Sequence, residues 1–478
     1  MKRIAIVGGG ISGLSAAFRL QQQMREGAGL EYVLFESSSR LGGVVSTERV
    51  EDCILEAGPD SFLSEKRWAS DLCRELGLAD QLIGSRDAAR KTYILVKNKL
   101  VPIPDGLVFM VPTKVLPIAF SPLFSPRTKL IMAREWFYSK HAAGNDESIA
   151  SLVERHYGQE MVDRLADPLL FAVYGGQASE LSVRAVLPRF AQMEGKYGSL
   201  GRALLARKVN PEKTPNSSGS LFTSLAGGMQ QMVDALVERL SPLALRTEAR
   251  IESIQRESEG WRLSSRERPE LFDAIIVATP AGHAARLLEQ TSGALSAELA
   301  GIQYSSSVIV NIVFDQEVRS RLPPGFGLLV PRSEGKRVLA VTLVHNKFSG
   351  RAPENRALLR CFLGGTRDHA ILDLREDQIV QLVRQELRQT LGISADPLVS
   401  RVHKWTNVMA QYGVGHLDRL NRIAVLQQNL PALALAGNAY GGIGVPDCVR
   451  SGSDAAAASL RALGFGQAAT LPSSRPRA

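Results

Sequence analysis

Gly8, Gly10 and Gly13 occupy the fingerprint positions of the run GGGISG, which follows the apolar stretch Ile4 to Val7 and leads into Leu14, Ala16, Ala17, Phe18 and Leu20. That order predicts a strand, a tight turn and a helix. Gly8 permits the sharp turn, Gly10 leaves no side chain between the backbone and a pyrophosphate, and Gly13 lets helix and strand approach closely. The N–H groups at the helix start then face an anion. A second strand is expected at Glu31 to Glu36, and Glu36 lies 23 positions beyond Gly13. A carboxylate there accepts hydrogen bonds from an adenosine ribose and disfavours a 2′-phosphate. The chemistry is dinucleotide binding, with NADP a poor candidate; the fingerprint alone leaves FAD and NAD open.

The segments SSSRLGGVVST and LEAGPDSF follow, contributing Ser37, Arg40, Gly42 and Gly43, then Gly58, Pro59, Asp60 and Ser61. The glycine pair allows backbone to lie close to a polyanion, and Arg40 offers directional donors. This pattern resembles the extended cofactor motif of the amine-oxidase-like FAD superfamily. The resemblance implies that Arg40 supports the phosphates while both turns approach the cofactor, so FAD is expected. Near the far end, PALALAGNAYGGIGVPDCVRSGSDAAAASL resembles a terminal FAD motif. It reads as a strand at Leu433 to Ala436, a close approach over Gly437 to Gly444, and a helix from Asp447.

These residues are far apart in the chain, so the elements that hold them must come from separated segments. The expected fold class is α/β: a Rossmann-like FAD-binding domain built from residues 1–85, 220–285 and 425–468. An α+β substrate domain is expected from 86–110 and 286–424, with a helical insertion at 111–210 and a flexible tail at 469–478. YILVKNKLVPIPDG reads as a strand hairpin or a broken strand pair, Pro168 as an interruption of a helical stretch, and the segment PEKTPNSSGS as an exposed loop. Arg250 to Ser253, Trp261 to Ser264 and the apolar stretch after Asp273 read as strands. Leu225, Met229, Met232, Val233, Leu236 and Leu240 fit one buried helix face.

Apolar residues make up 45% of the 478, and charged residues 22%, which permits a large core under a soluble surface. Lys and Arg number 57 against 48 Asp and Glu, a balance that attracts carboxylates, phosphates or an anionic membrane without choosing among them. Four cysteines, Cys53, Cys73, Cys361 and Cys448, form no CxxC pair, and the seven histidines lack HExxH spacing, so no metal site is expected. No nucleic-acid-binding module is read. Without a secretory leader or an apolar stretch of about 20 residues, a cytoplasmic location is expected, with any membrane contact peripheral. Residues Lys91 to Lys140 carry eight Lys or Arg and two acids beside Trp136 and Phe137, which suits either an anionic lipid surface or a solvated helical face.

The central segment DPLLFAVYGGQASELSVRAVLPRF, with LAGGMQQMVDAL, IIVATP and the motifs above, resembles the oxygen-dependent protoporphyrinogen oxidase family, including its coproporphyrinogen-oxidising bacterial relatives. The resemblance runs from Lys2 to about Leu460. It implies an enzyme of haem or tetrapyrrole biosynthesis that takes six electrons from a porphyrinogen and passes them through FAD to molecular oxygen. Protoporphyrinogen IX is the first expectation and coproporphyrinogen III the alternative. An anionic membrane surface and a neighbouring tetrapyrrole-pathway enzyme are implied as partners. Amine oxidation, carotenoid desaturation and a noncatalytic FAD-fold binding protein are the competing readings.

By this resemblance the cofactor residues are Gly8, Gly9, Gly10, Ile11, Ser12, Gly13, Glu36, Ser37, Arg40, Gly42, Gly43 and Gly58 to Ser61. Arg250 matches a later position whose backbone nears the adenine, and Asn438, Ile443, Gly444 and Val445 match the terminal segment. Substrate candidates are Phe171, Ala172, Val173 and Tyr174, with Ala172 standing where many relatives have glycine. Thr92 stands where many eukaryotic relatives place a substrate-pairing arginine, and Lys91 beside it points differently if the segment is a strand. Flavin performs the redox step, so no catalytic side chain is assigned. Asp60 has positional support near the cofactor, and His403 and His416 are side chains expected to titrate near neutrality.

Overall fold

The computed structural model describes residues 1–139, 145–209, 219–266 and 268–465. The expected loop at PEKTPNSSGS lies largely outside the described residues, as do Lys140 and the tail 469–478.

Lys2–Val7 is the middle strand of a five-stranded parallel sheet whose order is Leu245–Arg246, Leu30–Phe35, Lys2–Val7, Ala274–Val277, Leu433–Leu435. Side chains alternate across it with period two. Ile4 and Ile6 face the helices Ile11–Arg25, Gln230–Arg239 and Val445–Ala462. Ala5 and Val7 face the opposite layer, where Trp261 and Phe272 of a three-stranded antiparallel sheet meet the helices Ala281–Leu288 and Gly293–Ala300. Both faces are covered, which is why these strands read as continuous apolar runs. Met229, Met232, Val233, Leu236 and Leu240 are buried in this core, as the helix-face reading requires.

A second sheet of seven strands runs in the order Val399–Ala410, Tyr304–Phe314, Ala357–Gly364, Ala340–Leu343, Gly327–Leu329, Thr92–Val96, Lys99–Pro102. Only the Gly327–Leu329 and Thr92–Val96 pairing is parallel. The last two strands form the expected hairpin, turning at Lys97 and Asn98 with φ of 51° and 58°, the left-handed pair that matches strand twist. One face of this sheet packs on helix Glu376–Leu391 through Ile379, Val383 and Leu387. The other face, through Ile94, Leu329, Ala340 and Phe362, packs on a helical region between Val115 and Val209.

Several boundaries differ from the sequence reading. Arg250 is exposed and precedes the strand, which spans Ile251–Glu257. The terminal helix begins at Val445 because Pro446 sits in its first turn, where a missing N–H costs nothing. Pro168 likewise starts helix Asp167–Tyr174 directly after the π-helical turn Val162–Ala166, so the axis continues where a break was expected.

Candidate cofactor and substrate site

At the carboxyl edge of the parallel sheet the chain leaves Val7 through Gly8, whose φ of 112° is open to glycine at low cost. A Cβ on Gly13 would lie 1.9 Å from the Gly8 carbonyl oxygen, so glycine is required there for the helix to meet the strand. A Cβ on Gly10 would meet no heavy atom within 4 Å, and Gly10 caps the helix without a side-chain hydrogen bond. Open space and uncapped N–H donors thus coincide at one point, and they fit a pyrophosphate. Ile11 and Ser12 are buried in the first turn.

Gly42 and Gly43 close one side of this cradle. Gly42 pairs with Gly10 as a β-bridge and donates its N–H to the Gly9 carbonyl at 2.8 Å. Glu36, at the end of its strand, accepts from Gly9 N–H at 2.7 Å and from Ser38 N–H at 2.8 Å, with Ser37 beside it and exposed. Arg40 folds over its own turn, donating to the carbonyls of Leu41, Gly43 and Val45. It holds the glycine turn in shape rather than reaching outward. On the far side, a Cβ on Gly452 would lie 2.0 Å from the Ser12 carbonyl oxygen, so the terminal helix touches the first helix backbone to backbone. Ile443 and Gly444 are half-buried ahead of that helix, and Val445 enters the core.

The Gly58–Ser61 turn is pinned from the second sheet. A Cβ on Gly58 would strike the Val44 carbonyl oxygen at 1.8 Å, and the Gly58 carbonyl accepts from Arg360. Pro59 is half-buried. Asp60 accepts from Lys347 Nζ at 3.0 Å and from Ser61 Oγ at 2.7 Å. Burial alone would raise the Asp60 pKa; the Lys347 ammonium and the Arg360 guanidinium override it and hold the carboxyl well below the usual range. Asp60 is therefore a fixed anion.

Asn438 is locked by its own segment and the second sheet. Its Nδ2 donates to the Val408 carbonyl at 2.7 Å, and its carbonyl accepts from the Tyr412 hydroxyl at 2.6 Å. The same hydroxyl accepts from Gly442 N–H at 2.7 Å. The central segment meets this group: the Tyr174 and Tyr412 rings lie 6.3 Å apart, and Gln411 Nε2 donates to the Tyr174 carbonyl at 2.7 Å. Burial pushes the Tyr174 hydroxyl up to about 12. Ala172 and Val173 are exposed, whereas Leu170 and Phe171 are buried, so one helix presents a packed side and an open side. Phe171 packs inside, with the Arg367 guanidinium 4.9 Å from its ring centre.

Thr92 points to the face of the sheet shared with Ile94, toward the helical region, while Lys91 is exposed just outside the strand. His416 stacks on Tyr412 at 4.2 Å, and burial lowers its pKa to about 4. Burial also lowers that of His403. In both cases the ring is taken out of water, which disfavours its charged form. Sequence reasoning missed Lys347, Arg351, Arg360, Tyr304 and Tyr412, which the second sheet and its edges supply. The visible signal for Arg360 was a cation inside the apolar strand ALLRCFLG. A separate cavity of about 780 Å³ lies behind the central helix, lined among others by Glu154, Asp163, Asp167, Arg332 and Arg367, and shares no residue with the cofactor segments.

A glycine-built dinucleotide cradle closed by a returning terminal helix defines an FAD-dependent oxidoreductase. The chain belongs to the flavin containing amine oxidoreductase family, whose model matches residues 11–460. It is similar to the coproporphyrinogen III oxidase of Bacillus subtilis (strain 168), at 31% identity over 96% of this chain and 98% of that one. It is also similar to the mitochondrial protoporphyrinogen oxidase of Nicotiana tabacum, at 27% identity over 95% and 94%. A crystal structure from Exiguobacterium sp. 255-15, provisionally named protoporphyrinogen oxidase, superposes with a TM-score of 0.86 at 29% identity, covering 97% and 99% of the two chains.

Proposed function

We propose that the chain oxidises a porphyrinogen, removing six electrons and six protons in two-electron steps with molecular oxygen as final acceptor. One observation carries the reading. The central segment Asp167–Tyr174, whose sequence carries the specific resemblance to porphyrinogen oxidases, is held against the terminal cofactor segment through Tyr412. FAD, when bound, accepts the electron pair of each step. The chain's own part is to bind and orient. The start of helix Ile11–Arg25 and the Gly42–Gly43 turn hold the pyrophosphate, Glu36 receives the ribose, and Gly444 and Val445 close over the opposite end. Ala172 and Val173 give the macrocycle an uncharged wall. Asp60, held as an anion by Lys347, positions its turn and takes no proton.

Sequence alone favoured protoporphyrinogen IX. Full-length similarity at 31% identity to a coproporphyrinogen III oxidase moves the preference to coproporphyrinogen III. Both porphyrinogens are to be added anaerobically to the purified flavoprotein while flavin absorbance is followed, then oxygen readmitted and porphyrin fluorescence recorded. Faster reduction by coproporphyrinogen III is expected. Faster reduction by protoporphyrinogen IX reverses the substrate choice, and reduction by neither removes the reading.

The helical region supports a peripheral membrane contact. Helices Val115–Phe120 and Pro126–Glu135 expose Val115, Leu116, Phe120 and Leu130 beside Lys114, Arg127 and Arg134, and Phe137 follows, 84% exposed. No helix among the described residues is long and apolar enough to cross a membrane. Apolar groups ringed by cations suit an anionic lipid surface. Flotation with anionic liposomes and not with neutral ones is expected; flotation with neither overturns it.

A further inference from the structure

Five charged side chains, three buried and two half-buried, gather where the Gly58–Ser61 turn meets the seven-stranded sheet. Four form two close pairs: Arg351 Nη1 lies 3.1 Å from Glu56 Oε1, and Lys347 Nζ lies 3.0 Å from Asp60 Oδ2. The fifth, Arg360, is left over. Its nearest carboxylate oxygen, 3.6 Å away, is the Asp60 oxygen already engaged by Lys347. One terminal nitrogen donates to the Gly58 carbonyl, Nε is buried with no hydrogen-bond partner, and the Phe362 ring centre lies 4.8 Å away. A guanidinium keeps its proton in proteins, so the group holds one uncompensated positive charge in the interior. Such a charge is costly unless something negative completes it.

The surroundings say which side the charge serves. Arg360 and Phe362 share one face of strand Ala357–Gly364, away from the face packed on helix Glu376–Leu391. Gly58, which Arg360 grips, abuts Val44; a Cβ on the adjoining Gly43 would lie 3.2 Å from the Gly10 Cα at the cradle. We propose that Arg360 is a fixed positive charge that favours the bound flavin in its reduced, negatively charged state, acting through space from behind the Gly58 turn. A charge in a low-dielectric interior stabilises an arriving electron pair far more than it would in water. The inference rests on FAD binding and not on the porphyrinogen reading.

The test uses holoenzyme without porphyrinogen. Arg360→Met is expected to move the midpoint potential of the bound flavin to a more negative value. It is also expected to weaken binding of sulfite, an anion that adds to oxidised flavin, at least tenfold. Arg360→Lys should restore sulfite affinity to within about threefold, since charge alone is required. Asp60→Asn, which removes a negative charge, should move the potential the opposite way. A structural tie would instead lower thermal stability in both neutral variants with the potential unchanged, and that result overturns the proposal. So does an unchanged potential with a raised KM for a porphyrinogen, which would make Arg360 a seat for a substrate carboxylate. If Arg360→Met fails to fold, Asp60→Asn decides: no positive shift in potential sinks the idea.

Discussion

Two charge clusters, one at the sheet seam and one in the helical region, differ in what they can answer to. At the seam between the sheets, Glu56 and Asp60 meet Lys347, Arg351 and Arg360, so cations outnumber acids. In the helical region the balance reverses: Glu135, Glu194 and Glu147 meet Arg155 and His156, the histidine bridging Glu135 at 3.0 Å and Glu194 at 3.1 Å. Arginine and lysine keep their charge through neutrality, whereas histidine can lose it. The seam is a permanent field beside the cofactor cradle. The helical cluster is a clasp that acidity and alkalinity can loosen.

Removing Glu56 should break the seam most severely. Glu56→Ala leaves Arg351 buried without its acid and removes the acceptor for Met229 N–H, an expected loss of about 3–5 kcal/mol in urea unfolding. In the clasp, Glu135 accepts from Ser199 Oγ, Leu200 N–H and His156, tying helix Leu200–Val209 to helix Pro126–Glu135. Glu135→Ala should cost about 2–3 kcal/mol, less because His156 can shed its proton. An equal or larger loss than for Glu56 would erase the distinction.

The pH response sharpens it further. Burial works against the charged form of His156, but hydrogen bonds to Glu135 and Glu194 outweigh it and raise the pKa. Its contribution is full below the ordinary histidine value of about 6.5 and fades as pH rises through the raised folded value. Glu194 is lowered to about 2; burial opposes this, while His156 and Arg155 bring it about. Its contribution is present above about 4.3 and is lost as pH falls toward 2. Amide exchange in Ile149–Tyr157 should therefore quicken from pH 6 to pH 9 relative to Ala357–Gly364, and His156→Gln should flatten that response. The smallest effect belongs to the exposed pair Arg189–Glu65, where Arg189→Ala should change stability by less than about 0.5 kcal/mol.

Legibility followed chain distance. Gly8, Gly10, Gly13 and Glu36 announce their jobs because turn, helix start and strand end lie within one local unit, and the structure places them together. Arg40 was legible as part of the turn, while its engagement by its own carbonyls depends on backbone shape that residue types do not encode. Asp60 could be placed near the cofactor, yet its partner Lys347 comes from 287 positions away and fixes its protonation. For the two histidines, too, burial by distant segments lowers the pKa, which residue type does not encode. Phe171 and Val173 are two residues apart with opposite exposures, a difference decided by what packs on the helix and not by either residue type.

The contact between Gly452 and Ser12 also governs the order in which the molecule can be made. Synthesis delivers the first strand and helix early, but the strand's neighbour Ala274–Val277 and the closing helix Val445–Ala462 emerge much later. Until then Leu14, Ala17 and their neighbours lack the packing partners that these segments bring, among them Ile276, Val449 and Ala456. Nascent chains that halt before residue 445 should stay flavin-free and attract holding chaperones, with colour gained only upon release of the finished polypeptide.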